Sequence, residues 1–195
     1  ASALAQSPFE LNLAVDAPVL AIGAAGTLAA LVEVPPPSCF PTCDGSRINA
    51  LDREVLGNYS ESALTIADVG VLSLVALPAL LDLVDSGGDG WLEDMVVYLE
   101  ALAIAQSLVQ LTKFAVDRPA PFVYDPNADP DALDGSDAAR SFISGHTTMS
   151  FTAVAAFTTT FFARNPDSPW RWVVLGVGSA LASTVGVLKV IAGYH

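Results

Sequence analysis

The chain has 195 residues, of which 52% are hydrophobic, and a formal charge of −13 with a mean hydropathy of +0.51. That length fits one domain. The strong acidity excludes nucleic acid, whose phosphates need a basic face, and electrostatic adhesion to an anionic membrane surface.

Ala1 to Gln6 resembles the small-residue remnant at a signal-peptide cleavage site. Ala17 to Val32 is an Ala/Gly-rich apolar stretch and a helix candidate. Residues 34–62 form a loop of periplasmic type, opening on Pro35-Pro36-Pro37 and carrying the only two cysteines, Cys39 and Cys43. Two cysteines without a nearby histidine are too few for a zinc site; a local Cys39–Cys43 disulfide in an oxidising compartment is preferred over free thiols. Within that loop, Asn49 to Ser62 is polar and reads as a short amphipathic helix. Ala63 to Val84 is strongly apolar, and Asp85 to Gly90 is a connecting turn without the ligand spacing of a calcium loop. Trp91 to Val116 is a long helix stopped by Pro119 and Pro121. On it Gln106, Gln110 and Lys113 share a face at helical spacing, a polar seam leading towards the end of the helix. Phe122 to Arg140 is an acidic loop, Thr147 to Ala163 the next helix, Arg164 to Arg171 a short loop, and Trp172 to Ile191 a last apolar, Gly-containing helix.

Four long apolar helices, starting near Ala63, Trp91, Thr147 and Trp172, join a shorter one near Ala17. Several reach the roughly 20 residues needed to cross a bilayer, and no segment alternates with period two. The expected architecture is all-α: a helical bundle embedded in a membrane. A soluble periplasmic bundle is the alternative, kept open by Asp68, Asp82, Glu100 and Gln106 inside the apolar runs; in lipid these would face the bundle interior. If the helices alternate, Lys113, the start of the Thr147 helix and the end of the Trp172 helix share one side with the cysteine loop. Arg164 and Arg171 fall on the other, which their charge marks as cytoplasmic.

Where the acidic loop meets the third long helix the chain reads Arg140-Ser141-Phe142-Ile143-Ser144-Gly145-His146-Thr147-Thr148. Ser144 or Gly145 is the candidate N-cap; the helix N-terminus offers N–H groups to an oxyanion, and His146 stands beside it as a proton donor or acceptor near neutral pH. Upstream lies Lys113-Phe114-Ala115-Val116-Asp117-Arg118-Pro119-Ala120-Pro121, and the sequence closes on Lys189-Val190-Ile191-Ala192-Gly193-Tyr194-His195. In this order the three blocks resemble the type-2 phosphatidic acid phosphatase family, which shares its site with the vanadium haloperoxidases and the bacterial class A acid phosphatases. The family pattern is K-x6-R-P, then P-S-G-H, then S-R-x5-H-x3-D. Here Ala120 stands where the first block has arginine, with Arg118 two residues earlier; Ile143 replaces the proline, Leu188 the serine and Lys189 the arginine of the third block. No aspartate follows His195, so residues 1–195 are expected to form one domain of this type lacking its last helix.

The resemblance implies metal-independent hydrolysis of a phosphoester through a phosphohistidine. Transferred by position, His195 is the nucleophile and His146 the general acid. Lys113, Arg118 and Lys189 are the phosphate-binding cations, with Ser144 and Gly145 supplying the donors of the helix end. These are the only two histidines, which leaves no histidine-based metal site and implies no cofactor. The substrate class implied is a phosphorylated lipid or small-molecule phosphoester, handled at a bacterial-type inner membrane with the site facing the periplasm. Two other readings stand beside it: a vanadate-dependent haloperoxidase in the same pocket, and a non-catalytic membrane protein with a decayed site, motivated by Ala120 and Lys189.

Overall fold

The computed structural model describes residues 7–29, 39, 43–127, 133 and 136–194. Among the described residues seven helices have defined bounds: α1 (Leu13–Ala29), α2 (Ala50–Arg53), α3 (Glu61–Ser86), α4 (Trp91–Val116), α5 (Ser136–Ala139), α6 (Gly145–Arg164) and α7 (Trp170–Ile191), with 3-10 turns at Gly45–Arg47 and Pro121–Tyr124. No strand occurs among the described residues, so the all-α expectation holds. Cys39 and Cys43 are joined in a disulfide with their Cα atoms 4.8 Å apart. The helix expected across Asn49 to Ser62 shrinks to the single turn of α2, and the signal-remnant stretch Ala1 to Gln6 lies outside the described residues.

Local chemistry sets the boundaries. The Ser60 side chain accepts from the Ala63 N–H at 3.2 Å and starts α3. Gly87, with φ of 61°, ends it in the left-handed conformation that glycine adopts without penalty. The α4 helix closes when the Asp117 N–H returns to the Lys113 carbonyl, two residues before Pro119. Antiparallel α3 and α4 are pinned by Trp91 Nε1 donating to the Ala79 carbonyl and Tyr98 Oη donating to the Val75 carbonyl, both at 2.9 Å. The core between them gathers Met95, Tyr98 and Leu102 with Ala153 of α6.

Central α6 packs against α3, α4 and α7. As expected for several of them, three helices are long and apolar enough to span a membrane among the described residues, α3, α4 and α7, with hydropathies of 2.1, 1.5 and 1.8 over their best windows. The 20-residue α6 is threonine-rich; it buries Ser150, Thr158 and Thr160 against its neighbours and leaves Phe151, Ala155, Thr159 and Ala163 exposed along one side. The α3 helix is more open still: only 11% of its window is buried, and its outer face carries Ile66, Val69, Leu72, Leu80 and Val84. So extensive an apolar exterior matches a hydrocarbon surrounding, not water.

The α1 helix runs alongside α4 at very short range. A Cβ on Gly23 would sit 2.1 Å from the Ala103 Cβ, so only glycine permits this approach, and Ser107 Oγ donates to the Ile22 carbonyl at 3.4 Å. Gly23→Leu is therefore expected to cost about 1–3 kcal/mol by forcing α1 off α4. The unfolding midpoint in detergent should drop; an unchanged midpoint would mean the two helices do not touch there.

The end of the bundle opposite the α6 N-terminus is held by charge. Arg164 Nε donates to Asp94 Oδ2 at 2.6 Å, and its second nitrogen also reaches that oxygen; both side chains are buried. Ser7 Oγ donates to Asp94 Oδ1 at 2.7 Å, and Asn165 Nδ2 to Asp85 Oδ2 at 2.7 Å. This lattice ties the chain's first described residue, the α3–α4 turn and the end of α6 together.

Candidate active site

At the other end, the last turns of α4 and the first turn of α6 face one another across a cavity of about 290 Å³. Gln106, Gln110 and Lys113 reach it from one face of α4, and Gly145, His146 and Met149 from the start of α6; Val71 of α3 and Val109 complete the wall. The polar seam on α4 thus opens onto a cavity as well as passing between helices. Ser144 is the N-cap: its Oγ accepts from the Thr147 N–H at 3.4 Å and from Thr147 Oγ1 at 3.0 Å. This cap sets Gly145 at the first helical position, where a side-chain-free backbone and the positive end of the helix dipole border the cavity.

Lys189 comes from the last turn of α7. It is 1% exposed, one of the largest fully buried side chains among the described residues. Its Nζ lies 3.6 Å from Asp68 Oδ1 and 4.8 Å from the centre of the Tyr194 ring. The same carboxylate oxygen lies 2.7 Å from His146 Nε2. Asp68, on α3, is thus the point at which His146 and Lys189 meet. Sequence reasoning had registered it only as a polar residue that must face inwards; an acid in a spanning helix was the signal available, but nothing in the sequence named its partners.

Arg118 is held elsewhere. Its guanidinium grips Asp52 with two nitrogens, the Nε–Oδ2 distance being 3.1 Å, and NH1 donates to Ser141 Oγ at 3.2 Å. Asn49 Nδ2 donates to the same Asp52 at 2.6 Å. Arg118 is absent from the described cavity wall, and its contacts tie α2 to the loop before α6. The backbone reinforces that tie: the Ser141 N–H donates to the Arg118 carbonyl at 2.8 Å and the Ala120 N–H to the Ala138 carbonyl at 2.9 Å. Ala120 is fully buried in an apolar cluster with Phe122, Val123 and Ala138, against which Tyr194 packs. Beside them Gly193 has φ of 83° and backs onto the Asn58 carbonyl, 2.1 Å from where a Cβ would stand. His195, one residue further, lies outside the described residues.

The structure therefore brings Lys113, Gly145 and His146 to one cavity, joins Lys189 to His146 through Asp68, uses Ser144 as the cap that aims them, and holds Arg118 on Asp52. Two lysines, a helix N-terminus and an imidazole at one end of an acidic protein suit an oxyanion whose charge changes as it reacts. No curated protein and no solved structure matches the chain. The family model of the PAP2 superfamily matches residues 94–195, which include Lys113, the Ser144-Gly145-His146 turn and Lys189; over half of its length is thereby accounted for, and the chain belongs to the PAP2 superfamily.

Proposed function

We propose that this protein is a membrane phosphatase that hydrolyses a phosphomonoester or a lipid (di)phosphate without a metal, through a phosphohistidine. The convergence of Lys113, Gly145 and His146 on one cavity, within the family-matched segment, carries the reading. A neutral nitrogen of His195 attacks phosphorus in line, forming a P–N bond as the P–O bond to the leaving group breaks. His146 protonates the departing oxygen. Water then attacks the phosphohistidine, His146 recovers the proton, and phosphate is released. Lys113, Lys189 and the α6 N-terminus stabilise the charge on the equatorial oxygens, while Arg118 positions the loop that carries Ser144. Arg164 and Arg171 mark the opposite end as cytoplasmic by the positive-inside rule, so the site faces the periplasm of a bacterial-type inner membrane, the side on which the Cys39–Cys43 disulfide is stable.

Phosphate release from a generic phosphomonoester in excess chelator is the test. The wild-type chain should turn over, and His146→Ala should lower turnover by about 10²–10⁴-fold, the range for removing a general acid. Equal rates for the two proteins would sink the assignment. A second reading, a non-catalytic protein that kept the fold, is favoured by Ala120, whose packing takes the place of a phosphate-binding arginine. Absence of turnover in the wild type would decide for it. The vanadate-dependent haloperoxidase has no such observation on its side; vanadate binding with halide oxidation would be its mark.

A further inference from the structure

The His146–Asp68–Lys189 contact lies partly outside the family-matched segment, since Asp68 belongs to α3 and the match begins at residue 94. We infer that Asp68 is a positioning residue for the reaction: its carboxylate holds His146 by Nε2 as the imidazolium and balances the buried charge of Lys189. The inference rests on the phosphatase reading above.

Three observations carry it. The His146 Nε2 to Asp68 Oδ1 distance of 2.7 Å is that of a charge-assisted hydrogen bond, across 78 residues of sequence. Lys189 Nζ approaches the same oxygen at 3.6 Å from an almost fully buried position. Asp68 is absent from the described cavity wall, whereas His146 and Val71, one helical turn beyond Asp68, belong to it. The carboxylate therefore supports the imidazole from the side instead of occupying the substrate's place.

The chemistry follows from charge. A general acid must hold its proton until the P–O bond breaks. Beside buried Lys189 an imidazolium would face a second cation; the half-exposed carboxylate of Asp68, in contact with both, offsets that repulsion. It also fixes the ring, as the buried acid of a Ser-His-Asp triad does. With Nε2 committed to Asp68, the proton for the leaving oxygen travels from Nδ1, and the water that attacks the phosphohistidine returns it there. No oxidant or further reactant is needed.

A positioning role for a proton donor has a signature that a merely structural role lacks: dependence on the leaving group. An alkoxide needs the proton to depart, and p-nitrophenolate barely does. The experiment compares the full chain in detergent with Asp68→Asn, Asp68→Glu and His146→Ala. The substrates are a long-chain alkyl phosphate and p-nitrophenyl phosphate, both in excess chelator, with unfolding midpoints recorded for each protein. Asp68→Asn is expected to lower kcat on the alkyl ester by about 100-fold, the lower end of a general acid's contribution. On p-nitrophenyl phosphate the loss should stay within about fivefold, the general acid having little left to contribute there. KM should change little on either, and Asp68→Glu should restore part of the alkyl rate. Equal losses on both esters, with or without a lowered midpoint, would make Asp68 structural only and overturn the inference. So would an Asp68→Asn protein as fast as wild type on the alkyl ester. Absence of turnover in wild type on both esters would remove the phosphatase reading and this role with it, an outcome distinct from a wild type that works and a variant that loses no selectivity.

Discussion

Arg164→Leu is expected to destabilise the protein by about 3–5 kcal/mol, the range for breaking a buried ion pair from one side. The cost comes from what stays behind. Asp94, 1% exposed, would keep only the Ser7 hydroxyl, and Asp82, equally buried, has an oxygen with no hydrogen-bond partner among the described residues. Two carboxylates would then face each other in a low-dielectric interior without a cation between them. Arg164 also donates to the Asp89 carbonyl at 2.9 Å, so the α3–α4 turn would lose one of its links to α6 and keep that from Asn165 to Asp85. Denaturant or thermal unfolding in detergent reads the effect. The double variant Arg164→Leu, Asp94→Leu should recover much of the loss, because replacing both partners removes the stranded charge. A loss below about 1 kcal/mol in the single variant, the typical size for an exposed pair, would mean that the pair is solvated.

Ala120→Arg, which would restore the first motif block to the family pattern, is expected to harm the protein. The position is fully buried against Phe122, Val123 and Ala138, its N–H is spent on the Ala138 carbonyl, and Tyr194 covers the cluster. A guanidinium there meets apolar side chains, with the carboxylate of Asp52 already taken by Arg118. The expected cost is on the order of 4 kcal/mol, in the class of substitutions that bury an unpaired charge, with no rise in phosphate release. A stable variant with faster turnover would mean that the 117–121 loop can turn the side chain at position 120 towards the cavity.

These outcomes separate what local sequence encodes from what packing decides. The span of α4 was legible to the residue because its stops are local: a glycine turn before Trp91 and prolines after Val116. The start of α1 was not. The Ala/Gly-rich apolar stretch put the expected start at Ala17, yet the helix begins at Leu13, where Asn12 Oδ1 accepts from the Ala14 N–H and Asp16 Oδ2 accepts from the Asn12 N–H. That reciprocal cap resembles a capping box with an unusual residue pair. Lys113, Gly145 and His146, which line one cavity, were legible as candidates because each sits at a helix end marked by its own neighbours. Asp68 with His146 and Asp52 with Arg118 were not, because those contacts join residues 78 and 66 positions apart and exist only once α3 has packed.

The bond from Ser7 to Asp94 also fixes how the N-terminal segment threads through the assembly. From that anchor at the Arg164 end, α1 advances in the same direction as α4, Gly23 lying against Ala103 and Gly26 against Ser107, and reaches the end of the bundle where the cysteine loop begins. A fluorophore or epitope placed ahead of Ser7 would therefore emerge with Arg164 and Arg171. One placed at the Cys43–Asp44 turn would emerge with His146. In a sealed vesicle, the first could be reached from one side of the bilayer and the second only from the other.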